Sequence, residues 1–451
     1  MSREDREIMK AVSLVFPFRV NEYVIRELID WDAAPDDPLF HLVFPRPGML
    51  KEGQLSEIQG LMARGAPEEE LQAAARKIQL TLNVHPAGQK ELNVPRMDGK
   101  PLPGIQHKYR ETVLFFPAAG QTCHSYCSYC FRWSQFAQPD SFRFASHEAD
   151  SLVEYLRRHR EVSSVLVTGG DPLVMSTETL RRYVEPLLGP GLEHVRSIRL
   201  GTKSLTYWPQ RFVSDPDADD LLRLFEEIRG TGRHLALMAH VSHPRELEPG
   251  IAREAVRRIR ESGAVIRTQS PVVRGVNDDA GTWASLWRRQ VRLGMVPYYM
   301  FMARDTGAQH FFKVPLAEAL EIYNGAYRRV SGLARTARGP VMSATPGKVM
   351  VTGIGRAGGQ DVFVLKFLQG RDPAWVGRPF FARLDPGAAW LDELRPAFGQ
   401  KEFFFEGGFR EIKRELAAGR GPRRSGPVWG RRDPVRARGP AGRPGSREDG
   451  V

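Results

Sequence analysis

The 451-residue sequence contains only three cysteines and no long apolar run. A membrane helix needs about 20 consecutive apolar residues, so the sequence predicts no transmembrane segment. The first ten residues, MSREDREIMK, lack the apolar core of a signal peptide, so we expect a cytoplasmic protein. Three cysteines are too few for a disulfide framework. Apolar residues make up 41% of the chain, which excludes a wholly disordered protein.

The net charge of +12 is concentrated at the C-terminus. From Arg420 onward the chain has nine arginines against three acidic residues, together with seven glycines and five prolines. A segment of this composition buries too little apolar surface to fold, so residues 419–451 are predicted to form a disordered tail. A basic tail can touch RNA, a membrane surface or an acidic partner, but a solubilising role is the simpler interpretation. We do not expect nucleic-acid binding as the main function.

All three cysteines fall within eight consecutive residues, as Cys123, Cys127 and Cys130. Their C-x3-C-x2-C spacing fits no zinc-finger pattern, and a four-cysteine zinc site would lack one ligand. Three thiolates on a short loop suit an iron–sulfur cluster. A four-iron cluster with three cysteine ligands keeps one iron open to another molecule, as catalytic metals do. The sequence therefore predicts metal chemistry rather than simple electron storage.

Strand-like and helix-like segments alternate after residue 112, which predicts an α/β fold built from parallel βα units. The sheet can be open or a partial barrel, and in both cases ligands bind at the carboxyl ends of the strands. Helical spacing of apolar residues, with a glycine C-cap at Gly263, supports the helix over 250–262. The predicted strands are 112–118, 163–170, 196–201, 234–240, 264–270 and 296–302, and the predicted helices are 147–160, 177–188, 217–229, 250–262, 280–293 and 315–331.

These motifs resemble the radical S-adenosylmethionine enzymes, and among them the lysine 2,3-aminomutase family. The resemblance covers most of residues 30–370 and implies a partial (β/α)6 barrel. The matching segments are PLPGIQHKYRETVLFF (101–116), the cysteine loop, VTGGDPL (167–173), YWPQR (207–211), HVSHP (240–244), QSPVVRGVND (269–278), VPYY (296–299), HFFKVP (310–315) and TPGK (345–348).

The resemblance implies that a [4Fe–4S] cluster on the cysteines chelates S-adenosylmethionine. One-electron reduction, from a donor such as flavodoxin or ferredoxin, then gives a 5′-deoxyadenosyl radical. Gly169 and Gly170 are expected to let the backbone approach the adenosylmethionine amino group, with Asp171 closing the strand end. His240 and Gln269 fall where the family contacts the adenosyl group and ribose.

The resemblance also implies pyridoxal 5′-phosphate, held as an imine on a lysine that aligns with Lys348. Tyr109 keeps an aromatic position associated with this cofactor. Two positions depart from the family. Thr112 replaces an arginine for the cofactor phosphate, a role for which Arg110 and Lys108 are the candidate substitutes, and Phe301 replaces a tyrosine.

Substrate recognition departs from the family as well. Arg132 matches the arginine that grips the amino acid carboxylate. Lysine aminomutases hold the distant ammonium between two aspartates, of which only Asp305 is a candidate here, one position out of register. The other position is Ser343 or Ala344. A buried ammonium would be poorly compensated, so free lysine is not expected to be the best substrate. The additional zinc-binding cysteines of the family are missing, so no structural zinc is expected.

The leading hypothesis is an amino acid 2,3-aminomutase acting on a small amino acid. The alternatives are a radical enzyme without pyridoxal phosphate, which acts on another small molecule or on a lysine within a protein as the elongation factor P enzymes do, and an iron–sulfur nucleic-acid-binding protein. We expect a helical N-terminal extension over 1–105 with a role in subunit contact, so that a homo-oligomer is possible. A barrel core over 106–335, a C-terminal extension over 336–418 and the tail over 419–451 complete the predicted organisation.

Overall fold

The computed structural model describes residues 2–137 and 142–418, and the predicted tail over 419–451 lies outside them. Its centre is a mixed sheet of eleven strands, accompanied by a separate two-stranded ribbon. No helix of the described residues is both long and apolar enough to cross a membrane. The strands are β1 (Arg96–Met97), β2 (Lys100–Pro101), β3 (Ile105–Tyr109), β4 (Thr112–Phe115), β5 (Ser164–Val167), β6 (Ser197–Thr202), β7 (His234–His240), β8 (Val265–Val272), β9 (Val296–Met302), β10 (Arg338–Ser343), β11 (Gly347–Ala357), β12 (Gln360–Gly370) and β13 (Pro379–Arg383).

The six predicted strands are present as β4 to β9, and each pairs in parallel with the next. The α/β class and the partial barrel are therefore confirmed. The sheet continues further than the sequence indicated, because β10 joins β9 in parallel and β11, β12 and β13 extend it antiparallel. On the other side, β3 pairs antiparallel with β4. The sheet thus crosses the predicted boundary at residue 336 without interruption, and the division into domains remains a prediction.

The connections between the parallel strands are helices that cover the outer face of the sheet. In the helix over Gly250–Glu261, Ala252, Ala255 and Ile259 are fully buried, and Gly263 follows with a φ of 78°, as a helix C-cap requires. The helices are α1 (Arg3–Val15), α2 (Pro38–Val43), α3 (Glu52–Ala63), α4 (Glu68–Leu80), α5 (Asp150–Arg158), α6 (Thr177–Val184), α7 (Ser204–Tyr207), α8 (Ala218–Gly230), α9 (Gly250–Glu261), α10 (Ala280–Arg292), α11 (Gln309–Phe312), α12 (Leu316–Arg328) and α13 (Glu406–Ala417).

The N-terminal helices α1 to α4 form a second apolar cluster beside the sheet. Trp133, which follows the cysteines, and Phe312 are buried in this cluster together with residues of α1 and α2. The N-terminal segment therefore packs directly on the cysteine loop. The helical character expected of this extension is seen in α1 to α4, of which α4 spans Glu68–Leu80.

The cysteine loop follows β4 and lies against the end of β5. A Cβ atom on Gly170 would stand 2.2 Å from the Thr122 carbonyl oxygen, and one on Gly169 would stand 2.3 Å from the Gln121 side chain. The Asp171 amide donates to the same Thr122 carbonyl at 2.7 Å. The two glycines therefore allow the backbone before Cys123 to pack on the carboxyl end of β5.

We predict that Gly170→Ala lowers the free energy of unfolding by about 1–3 kcal/mol, because the added Cβ pushes against backbone rather than a flexible side chain. Urea unfolding of the purified variant measures this. Gly250→Ala is the matched control, since no atom lies within 4 Å of a Cβ at that position. Equal stability of the two variants would contradict the close packing.

Candidate active site

The loop of Cys123, Cys127 and Cys130 is held by backbone hydrogen bonds to the N-terminal region. The Tyr126 amide donates to the Arg19 carbonyl at 2.8 Å, and the Ser128 amide donates to the Leu42 carbonyl at 2.8 Å. Within the loop, the Cys130 amide donates to the Cys127 carbonyl at 3.0 Å. The N-terminal helices thus help to fix the orientation of the three thiols.

The three thiols are free and only partly exposed. Burial raises the pKa of each, and the neighbouring Cys127 adds to burial in raising the pKa of Cys130 to about 12. Buried thiolates that repel one another need a nearby positive charge, which the iron of a cluster provides.

Within residues 2–137 and 142–418, no three His, Cys, Asp or Glu side chains converge on a single metal ion. A four-iron cluster does not require such convergence, because each cysteine binds a different iron. The donor set of three free thiols on one loop therefore fits a cluster.

A cavity of about 210 Å³ opens beside this loop, inside the curved sheet. The predicted residues Tyr109, Arg132, His240, Gln269 and Lys348 are among those that line it. They come from β3, the cysteine loop, β7, β8 and β11. The fold thus brings together residues that are up to 239 positions apart in the sequence, from Tyr109 to Lys348.

His240 and Gln269 occupy paired positions on β7 and β8. The His240 Nε2 atom lies 2.8 Å from the Tyr129 hydroxyl, which lies 2.8 Å from the Ser242 hydroxyl. Burial, with Lys203 and Arg132 nearby, holds the pKa of His240 well below its usual value. The imidazole is therefore neutral at physiological pH, with its orientation set by Tyr129.

Lys348 lies on β11 with its ammonium group facing aromatic rings. Its Nζ donates to the Gln369 Oε1 at 2.7 Å, and it stands 5.0 Å from the Tyr299 ring centre and 5.4 Å from that of Tyr109. Burial, together with nearby arginines, lowers the pKa of Lys348 to about 7. A substantial fraction of this lysine is therefore the free, nucleophilic amine at neutral pH.

The charge of the cavity is of one sign. Five basic side chains line it, and no Asp or Glu of the described residues does. The basic residues are Lys108, Arg132, Arg199, Arg304 and Lys348. Buried cations without counter-ions are unfavourable, so the cavity is suited to anionic ligands.

Four of the residues singled out from the sequence lie outside the lining of this cavity. Gly169 and Gly170 pack on the backbone before Cys123. The buried Asp171 carboxylate accepts from the Thr202 hydroxyl at 2.8 Å and from the Ser204 amide at 3.0 Å. This carboxylate ties the end of β5 to the end of β6.

Asp305 is the fourth such residue, and its role toward a substrate ammonium stays a prediction. Its Oδ2 accepts from the Asn83 side chain at 3.0 Å, whereas the preceding Arg304 lines the cavity. The side chains of the consecutive residues Arg304 and Asp305 point in different directions. A shift of one residue in the alignment therefore places a guanidinium in the cavity where a carboxylate was expected. The sequence offered no means of choosing between them.

Of the two residues expected to bind a cofactor phosphate, Lys108 and Arg110, only one lines the cavity. Lys108 lines the cavity and donates to the Ala344 carbonyl, while Arg110 lies outside the cavity lining. Arg199 on β6 does line it, and its buried Nε atom has no hydrogen-bond partner among the described residues. Sequence reasoning missed Arg199, although it occupies an inward position in the predicted strand RSIRLG.

Other cavity residues that the sequence did not single out are Tyr129, Tyr298 and Gln369. Tyr129 lies between Cys127 and Cys130 in the sequence. This position next to a predicted cluster ligand is a signal that could have identified it as a site residue. Gln369 carries no motif, and only the antiparallel pairing of β11 with β12 places it opposite Lys348.

Comparison with known proteins gives a consistent result. A putative L-lysine 2,3-aminomutase from Aquifex aeolicus is 32% identical over 391 residues, which is 86% of this chain and 91% of that protein. The L-lysine 2,3-aminomutase of Clostridium subterminale is 29% identical over 233 residues, so this match spans about half of each protein, 51% and 52%.

Among solved structures, a radical SAM methyltransferase from Sphaerobacter thermophilus aligns with a TM-score of 0.37 and 15% identity, covering 64% of this chain and 94% of that one. No protein-family model matches the sequence. The extent of the similarity to the Aquifex protein shows that the chain belongs to the L-lysine 2,3-aminomutase family of radical S-adenosylmethionine enzymes.

Proposed function

We propose that this protein is a radical, pyridoxal phosphate-dependent 2,3-aminomutase that moves the amino group of a small α-amino acid from C2 to C3. The observation that carries the proposal is the cavity that joins a three-cysteine loop to a buried lysine with a pKa of about 7. The chain's own residues hold the reactants, exclude water and keep a substantial fraction of Lys348 unprotonated at neutral pH.

When bound, the cluster and S-adenosylmethionine supply a 5′-deoxyadenosyl radical, and pyridoxal phosphate supplies a carbonyl carbon that carries the migrating nitrogen. The residues present fit both groups. His240 and Gln269 stand side by side near the cysteine loop, where a neutral imidazole and an amide can hydrogen-bond the sugar and base. The one-electron donor is of the flavodoxin or ferredoxin class, and we place the reaction in the cytoplasm.

The far end of the cavity fits pyridoxal phosphate. Tyr109, which lines the cavity, presents its ring to Lys348, and an aromatic ring at this place suits a flat aromatic cofactor. Arg199, with an unpartnered Nε atom, and Lys108 provide positive charge for a phosphate in place of the arginine that Thr112 replaces. Gln369 accepts a hydrogen bond from the Lys348 amine and so orients it.

Arg132 is positioned to bind the substrate's α-carboxylate. Its Nη1 donates to the Thr168 hydroxyl and to the Gly169 carbonyl, both at 2.7 Å, while its buried Nε lacks a partner among the described residues. These two hydrogen bonds fix the guanidinium and leave the Nε–H and the two Nη2–H groups for a ligand. Through its carbonyl, Gly169 thus helps to position Arg132 and takes part indirectly in substrate binding.

We predict that Cys127→Ala abolishes iron binding and release of 5′-deoxyadenosine, because the cluster loses one of its three protein ligands. Iron content and deoxyadenosine are measured after anaerobic reconstitution with a strong reductant. Ser128→Ala is the control, since it changes the adjacent residue and removes only a hydrogen bond to the His41 carbonyl. Full iron content in the cysteine variant would refute the assignment.

Lys348→Ala is predicted to remove covalently bound pyridoxal phosphate and to reduce turnover at least a hundredfold. The absorbance of the protein-bound cofactor and a borohydride-fixed label on the lysine peptide measure attachment. Lys366→Ala, on the neighbouring strand β12, is the matched control. Undiminished turnover in Lys348→Ala would favour a radical enzyme without pyridoxal phosphate.

The rate of covalent attachment should rise with pH and reach half of its maximum near pH 7. Attachment requires the neutral amine, which is the form of Lys348 above its pKa of about 7. Rapid-mixing absorbance between pH 6 and pH 9 measures this profile in the full chain. A rate that is still rising steeply at pH 9 would show that Lys348 has the pKa of an ordinary exposed lysine.

A further inference from the structure

Two guanidinium groups flank one aromatic ring at the cluster end of the cavity. The Arg304 Cζ atom lies 4.1 Å from the ring centre of Phe131, and the Arg132 Cζ atom lies 4.9 Å from the same centre. The two carbons are therefore no more than 9.0 Å apart. A dicarboxylate of amino acid size can reach both.

The charge of Arg304 is only partly offset within the chain, by the nearby Asp305 carboxylate. Its guanidinium donates one hydrogen bond, from Nη2 to the Ser343 hydroxyl at 3.2 Å, and it forms no ion pair within the described residues. The adjacent Asp305 carboxylate is turned toward Asn83 instead. The Arg304 guanidinium is planar, its remaining N–H groups are free, and it faces a cavity without acidic lining. These properties make it complementary to a carboxylate.

The geometry points to a substrate with a second carboxylate. Resting on the proposed function, we propose that the enzyme acts on an acidic α-amino acid, with Arg132 binding the α-carboxylate and Arg304 binding the side-chain carboxylate. Arg304 is thus a specificity-determining residue, and Ser343 positions it through its hydroxyl.

The other cations of the cavity are less suited to this second carboxylate. Lys348 faces Tyr109, Tyr299 and Gln369. Arg199, in the middle of β6, also lines a second cavity. Among the described cations, only Arg304 stacks on the same Phe131 ring as Arg132. Arg304 is therefore placed beside the substrate rather than beside the cofactor phosphate.

The first experiment compares L-glutamate with L-glutamine, its uncharged counterpart of nearly the same shape, and with L-lysine. The protein is reconstituted anaerobically with iron, sulfide, S-adenosylmethionine and pyridoxal phosphate. We expect turnover with glutamate to exceed turnover with either competitor at least tenfold. Glutamate is also expected to raise Tm more than glutamine at equal concentration, a readout that does not need turnover.

The second experiment uses Arg304→Gln. Loss of the guanidinium should reduce the preference for glutamate over glutamine about tenfold to a hundredfold, in KM and in the Tm shift, while pyridoxal phosphate still binds. Arg304→Lys keeps the charge without the fork and should retain part of the preference. Arg378→Gln is the matched control, because Arg378 stacks on Phe404 at 4.3 Å outside the cavity lining.

The outcomes separate this inference from the proposed function. If pyridoxal phosphate binds and deoxyadenosine forms with lysine or glutamine but not preferentially with glutamate, the inference alone is overturned. If Arg304→Gln instead abolishes pyridoxal phosphate binding, Arg304 serves the cofactor phosphate and the inference is overturned as well. If no amino acid gives deoxyadenosine and no pyridoxal phosphate binds, the proposed function itself fails.

Discussion

Positive charge buried without compensation is the constraint on which the site depends. Five basic side chains face one cavity without an acidic residue in its lining, although burial of charge is unfavourable unless it is paired. Elsewhere in the described chain, two buried charges show the usual compensation. Lys203 contacts Glu246 at 2.6 Å, for example, and Asp171 is saturated by hydroxyl and amide donors. The unpaired set therefore marks the place where ligands complete the electrostatics.

The outer layers make this arrangement tolerable. The outward positions of the parallel strands, such as Val165, Ile198 and Leu200, are fully buried beneath the helices. This apolar shell provides the hydrophobic stabilisation that the polar interior does not. The N-terminal helices add a second apolar cluster against the cysteine loop, so that the reactive end of the cavity is closed by packed side chains. The outer face of the sheet thus provides the apolar packing that stabilises the fold, and the inner face carries the polar residues of the cavity.

Much of this architecture could be predicted from the sequence because its signals are local. Strands β4 to β9 and the six helices that follow them each carry their own periodicity, and the cysteine spacing predicts the metal loop. Strand β10 was missed because RGPVMS contains Gly339 and Pro340, which usually indicate a turn. Arg199 and Gln369 were missed for another reason: their importance arises only when distant strands are placed side by side.

Arg304 shows how closely recognition and reactivity are coupled in such a cavity. The Arg304 guanidinium, which lines the cavity, also helps to keep the pKa of Lys348 low, after burial and Arg199. A carboxylate bound at Arg304 neutralises part of that field, so substrate binding favours the protonated lysine. Lys348 would hold pyridoxal phosphate through its Nζ atom, and the protonated Nζ would be the form that is not attached to the cofactor. Substitution at Arg304 consequently acts on specificity and on the lysine together, and only separate measurements of ligand binding and cofactor attachment can divide the two effects.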